Sequence, residues 1–252
     1  MLEVRNLSKS FGGHRVTDNL SLNFAAGTLS AIIGPNGAGK TTLFNLMAGA
    51  LQPDAGQVLL EGHSIVGLSP RKVVRKGLAR AFQVASLFDS MTPFEALAAA
   101  GDPDSLGPAG LFRTFPTAVG TDTAQRILEL LDLQRVAHRP VSQTSHGDQK
   151  LLDIGLALAL DPKVLLLDEP TAGMGPDERW KMIRMVERLW ELKGLTVVFI
   201  EHDMDIVFSI AQHVVVLSQG ALLMQGDPAT VRSDHRVIEA YLGSTGTQEA
   251  AA

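Results

Sequence analysis

Eight consecutive residues, Gly34-Pro35-Asn36-Gly37-Ala38-Gly39-Lys40-Thr41, carry glycine, lysine and a hydroxyl in the pattern G-x-x-x-x-G-K-T. Glycines at this spacing let the backbone fold back so that successive N–H groups converge on one anion, where side chains would obstruct the approach. Lys40 supplies a point charge for terminal phosphates, and the Thr41 hydroxyl is an oxygen donor suited to Mg²⁺. Thr42 follows directly and extends the set of candidate phosphate contacts. A second pair, Asp168-Glu169, closes an apolar run at 164–167. In parallel sheets, ligands bind at the C-terminal ends of strands, and alternation along a strand sends neighbouring carboxylates in different directions. Asp168 is then placed to hold Mg²⁺ through water, and Glu169 to orient or deprotonate an attacking water. Alone, such a pair is as readily a solvated strand end. Beside the phosphate loop, it implies binding and hydrolysis of a nucleoside triphosphate.

These groups need elements to carry them. Residues 29–33 read as a buried strand entering the glycine loop, and 42–48 as a helix leaving it, whose N-terminal dipole faces the phosphate. Residues 2–4, 21–24, 57–60 and 81–82 read as further strands, with a turn at Phe11-Gly12-Gly13 and a basic helix over 71–76. Uninterrupted apolar runs at 164–167, 196–200 and 214–217 alternate with helices expected over 176–193 and 204–211. That rhythm implies a parallel sheet covered on both faces. Between them the composition shifts: from 84 to about 150, helical pieces broken by Gly and Pro predict an inserted helical subdomain. The expected layout is one domain, with core segments 1–83 and 151–243, helical subdomain 84–150 and a disordered tail 244–252.

At 252 residues, the chain can bury a large α/β core. A net charge of −5 and only 5% aromatic residues give neither a basic footprint nor a stacking platform, so nucleic acid is not an expected partner. Cysteine is absent, which excludes disulfides and Cys-ligated metals. The chain opens straight into a strand-like segment without signal-peptide character, and no uncharged apolar run approaches the roughly 18 residues of a membrane span. Work at a membrane would be done from its side, through partners.

Gly34 to Thr41, Gln83, Ser145-His146-Gly147-Asp148-Gln149, Asp168-Glu169-Pro170 and His202 stand in the order found in ATP-binding-cassette (ABC) ATPases, and the resemblance covers nearly the whole chain. It implies a P-loop NTPase core with a mostly parallel sheet, an N-terminal antiparallel β subdomain and the inserted helical subdomain. It also implies that Ser145, Gly147 and Asp148 contact the nucleotide held by a partner's P-loop. Such a role suits Ser145 as a helix N-cap and Gly147 as a point of close backbone approach. Gln83 resembles the residue reaching Mg²⁺ and water, His202 the one bonding the γ-phosphate, and Phe11 the aromatic stacking on adenine. The sequence departs from the usual pattern at Thr144, His146 and Asp148, and Gly175 stands where an Asp usually links the two sites.

Residues 81–88 with Met91-Thr92, the stretch 200–204, and 237–243 resemble the ATPase subunits of importers for branched-chain amino acids and related amide solutes. The implied assembly uses ATP and Mg²⁺ and pairs the chain with a second, different ABC ATPase subunit. It adds polytopic membrane permease subunits and, indirectly, an extracytoplasmic solute-binding protein, and sits on the cytoplasmic face of the cell membrane. The competing reading is a soluble ABC-type ATPase not coupled to transport.

Overall fold

A computed structural model describes residues 1–81, 90–102 and 115–245. In chain order the strands are β1 (Leu2–Phe11), β2 (His14–Phe24), β3 (Leu29–Ile33), β4 (Ala55–Leu60), β5 (His63–Ser64), β6 (Leu78–Ala81), β7 (Val164–Asp168), β8 (Thr196–Ile200), β9 (His213–Ser218) and β10 (Ala221–Gly226). The helices are α1 (Lys40–Met47), α2 (Pro70–Arg75), α3 (Pro93–Gly101), α4 (Ala118–Leu130), α5 (His146–Leu158), α6 (Pro176–Lys193), α7 (Met204–Ile210), α8 (Pro228–Ser233) and α9 (His235–Thr245). Among the described residues the strands form two sheets. One is antiparallel, in the order β2-β1-β4-β5; the other is mixed, in the order β10-β9-β3-β8-β7-β6. In the mixed sheet only the β9–β10 pair is antiparallel.

The mixed sheet is apolar throughout because both faces are covered, and its period-2 alternation divides the core in two. Ala31, Leu165, Leu167, Val197, Phe199, Val214 and Val216 point into one cluster, shared with α4, α5 and α6. Ile32, Val164, Leu166, Val198, Ile200, Val215 and Leu217 point into the other, which contains α1 and the inner face of the antiparallel sheet. Phe24 and Phe44 are fully buried there. Each such ring, worth a few kcal/mol of transfer free energy, helps seat the small sheet on the large one.

Strand register brings the candidate residues to one edge of the sheet. Ile32 pairs with Ile200, and Ile200 with Asp168, so the chain leaves β3, β7 and β8 at that edge. The glycine loop, the Glu169 turn and the His202 segment therefore emerge side by side.

Several elements differ from expectation. β1 and β2 form one long hairpin through Gly12 and Gly13, both at positive φ (54° and 85°), as a tight hairpin turn requires. Only its apolar ends, near 2–4 and 21–24, stand out in the sequence; register shifts along β1 scramble the alternation between them. The strand expected at 81–82 corresponds to β6, Leu78–Ala81, which begins three residues earlier; Phe82 and Gln83 lie outside the described residues. β10 has no counterpart among the expected strands, because its side chains are only half buried. Helix α5 runs across residue 150, the expected end of the helical subdomain. Helix α9 continues to Thr245, into the tail expected to be disordered. Among the described residues no helix is long and apolar enough to cross a membrane.

Candidate nucleotide site

The loop after β3 is glycine-rich because little else fits. Gly34, Gly37 and Gly39 have φ of 151°, 78° and 94°. A Cβ on Gly34 would lie 2.2 Å from the Leu217 carbonyl oxygen, and one on Gly39 would lie 2.5 Å from that of Val16. Around Gly37 the space is open, so there the demand is conformational only. Ala38 is buried, whereas Asn36 is exposed at the loop's outer turn. Gly39 caps α1, and Lys40, Thr41 and Thr42 form the first turn of that helix. Lys40 is only 6% exposed; its Nζ donates to the carbonyls of Gly34 (2.7 Å) and Pro35 (3.0 Å), leaving one proton for a further acceptor. Burial pulls its pKa down, and the charges of Glu169 and Asp168 push it back up. Lys40 thus lies within electrostatic reach of both carboxylates.

Asp168 ends β7 beside Arg80 of β6. The Arg80 guanidinium bonds Asp168 Oδ2 at 2.6 Å and Asn45 Oδ1 at 2.5 Å, and lies 5.9 Å from the centre of the Phe44 ring. Both partners are nearly out of water, with side chains 11% and 13% exposed. Glu169, one residue on, adopts φ 48°, a left-handed conformation that a residue with a Cβ seldom holds. Its Oε1 lies 2.8 Å from Nε2 of His202, so the structure joins these two expected site residues directly. Around the turn, Thr171 N–H and hydroxyl donate to Glu201 Oε1 at 2.9 and 2.7 Å.

A cavity of about 30 Å³ opens behind this turn, lined by Ala81, Lys150, Asp153, Leu167, Asp168 and Glu169. Burial there pushes the Asp153 carboxyl up to about 7, against the opposing charge of Lys150. Beneath the loop, Tyr241 of α9 brings its buried hydroxyl against the Gly34 backbone, and burial raises its pKa.

The start of α5 carries the remaining expected residues. Ser145 caps the helix by accepting the Asp148 N–H at 3.2 Å. Gly147 has helical backbone, and a Cβ there would make only ordinary contacts, with Ser145 Oγ at 3.9 Å and Met174 Cε at 4.0 Å. The Asp148 carboxylate is buried and ion-paired with Arg135, where it fastens the helix start to the short turn at 134–136. Ser145 and Gly147 open onto a groove of about 510 Å³ shared with Met174, Lys181 and Arg188. They are not among the residues lining the cavity behind the Glu169 turn. Phe11 is 46% exposed at the tip of the β1–β2 hairpin, with Lys9 Nζ 5.5 Å from its ring centre. Gln83 lies outside the described residues. Arg80, Lys150 and Asp153 join the site without belonging to any motif, and Glu201 joins it from the stretch 200–204. Only their position at strand and helix ends near the motifs marks them in the sequence.

A glycine loop capping a helix, with two carboxylates and a histidine on adjacent strand exits, defines a P-loop nucleotide hydrolase. The chain belongs to the ABC transporter family: the profile of that family, described as ABC transporter, matches residues 17–172. A second profile, described as branched-chain amino acid ATP-binding cassette transporter, matches residues 221–246. The chain is similar to the high-affinity branched-chain amino acid transport ATP-binding protein BraF of Pseudomonas aeruginosa, 38% identical over 96% of this chain and 98% of that protein. It is likewise similar to LivG of Escherichia coli K12, named for the same transport role, at 36% identity and the same coverage. Among solved structures it is similar to a nucleotide-free ATP-binding cassette from an ABC transporter, with TM-score 0.84, 32% identity, and 96% and 98% of the two chains covered. It is an ATP-binding ABC ATPase.

Proposed function

We propose that this ATPase powers uptake of branched-chain amino acids, or of a related small amide solute, from the cytoplasmic face of the cell membrane. One observation carries the reading: the segment 221–246, which matches the profile described as branched-chain amino acid ATP-binding cassette transporter, reaches the phosphate loop through Tyr241 against the Gly34 backbone. In this reading the chain works with a second ATPase subunit and polytopic membrane subunits, and an extracytoplasmic binding protein selects the solute.

Within the chain, loop N–H groups and Lys40 hold the β- and γ-phosphates. The Glu169 carboxylate takes a proton from the attacking water, and His202 keeps that carboxylate oriented and meets the γ-phosphate. Phe11 offers its exposed ring to the adenine. Thr41 and Asp168 are oxygen donors on elements that pack together, a set that fits Mg²⁺, and Gln83 is the expected third residue there. When bound, Mg²⁺ would supply charge neutralisation on the phosphoryl oxygens. Ser145 and Gly147, turned to a separate groove, are the residues this subunit offers to the nucleotide of its partner.

The test is purification of the membrane complex through a tag on this chain, followed by leucine uptake in vesicles loaded with ATP. Co-purified polytopic subunits and ATP-dependent uptake are expected. Recovery of the chain without membrane subunits would favour the uncoupled ATPase. In the same complex, Ser145→Arg should impair hydrolysis of the partner's ATP; unchanged turnover would sink the shared-site reading.

A further inference from the structure

Lys150 lies one residue past the Ser145–Gln149 stretch, yet its side chain runs to the turn beyond β7. Its Nζ donates to the carbonyls of Glu169 (3.1 Å), Pro170 (3.2 Å) and Ala172 (2.6 Å). These bonds use all three protons of the ammonium group. From β8, the 4%-exposed Glu201 takes the Thr171 amide and hydroxyl on its carboxylate. The turn therefore points its carbonyls at a cation and its amide at an anion, and each contact is a charge-assisted hydrogen bond, stronger than a neutral one. Between them Glu169 holds φ 48°, a conformation that persists only where the surroundings impose it.

The position of Lys150 along α5 gives this clamp a second meaning. The same helix start carries Ser145 and Gly147. We propose that Lys150 is a positioning residue for ATP hydrolysis: it ties the Glu169 backbone to the first turns of α5 and so fixes where the Glu169 carboxylate stands. This rests on Glu169 being the base for water. A shift of the turn by about 1 Å would carry the carboxylate off the water it must deprotonate, and misplacement of that size costs on the order of a hundredfold in rate. Phosphate binding, by contrast, depends on the loop after β3, which Lys150 does not touch.

The experiment measures ATP turnover and MgATP affinity of the tagged transporter complex carrying Lys150→Met, Lys150→Gln or Lys150→Arg, with Glu169→Gln as reference. Lys150→Met and Lys150→Gln should lower kcat by about tenfold to a hundredfold with KM for ATP within about twofold of wild type. Lys150→Arg keeps the charge and several donors and should recover most of that loss. Wild-type turnover in Lys150→Met and Lys150→Gln, with Glu169→Gln inactive, would overturn the role of Lys150 and leave the base assignment standing. Turnover in Glu169→Gln would overturn that assignment itself. If Met and Gln lost affinity and melting temperature together with kcat, and Arg restored none of it, Lys150 would serve the fold alone and the proposal would fail.

Discussion

Nε2 of His202 and Oε1 of Glu169 meet at 2.8 Å, bridging the exits of β8 and β7. Parallel register places the two residues side by side, and neither is near the other in the chain. Glu169→Gln should retain MgATP binding, lower turnover by at least about a hundredfold, and accumulate the closed ATP-bound dimer. Turnover near wild type, with no dimer on size exclusion in ATP, would refute the assignment of the base.

Arg80 and Asp168 form a second pair, almost desolvated. Removing one partner of such a pair strands the other charge, at a cost of about 3 kcal/mol or more. Arg80→Met should therefore lower stability by roughly that amount in urea unfolding, and Arg80→Met with Asp168→Asn should cost less than the two single changes added. Strict additivity would show that the pair is energetically uncoupled.

Gly39→Ala tests the loop. It forces a Cβ toward the Val16 carbonyl at a residue with φ 94°. MgATP affinity should fall by more than about tenfold, because the cap of α1 and the phosphate-facing amides shift together. Gly37→Ala meets no atom, so it should cost only the left-handed strain of about 1–2 kcal/mol. Calorimetric titration of both variants with MgATP gives the comparison; equal affinities would refute it.

Asp153 supplies a pH dependence of stability. Its carboxyl titrates at about 7 in the fold against 3.8 in its ordinary state, because burial disfavours the charge more than Lys150 favours it. The folded chain thus holds a proton that the unfolded chain releases, and stability from this group declines as pH rises from about 4 to 7. Asp153→Asn keeps the neutral form. Its melting temperature should rise relative to wild type across that window and stay above it at about pH 8. A difference that does not vary with pH would count against the assignment.

How far the sequence could be read depends on where each residue finds its partner. The glycine loop and the apolar strands at 164–167 and 196–200 do local work: turn geometry and burial on both faces are written in consecutive residues. Arg80 answers to a carboxylate 88 positions away, and Lys150 to carbonyls 19 to 22 away. Such pairings exist only once strand order is set, and each residue alone resembles an ordinary surface charge. Asp148 pairs in the same way: its carboxylate meets Arg135, 13 positions earlier, a contact its motif does not announce. β10 is hard to see in the sequence because a half-covered edge strand lacks the apolar run of its neighbours.

The Tyr241 hydroxyl rests against the backbone of Gly34, and the Leu217 carbonyl closes the same glycine from β9. The segment that matches the branched-chain amino acid transporter profile thus reaches the foundations of the phosphate loop, which is built far earlier in the chain. Chimaeras that exchange C-terminal thirds between cassettes would consequently trade part of the floor under their own catalytic centre. A terminus that looks like a label of lineage would constrain how freely this enzyme can be recombined.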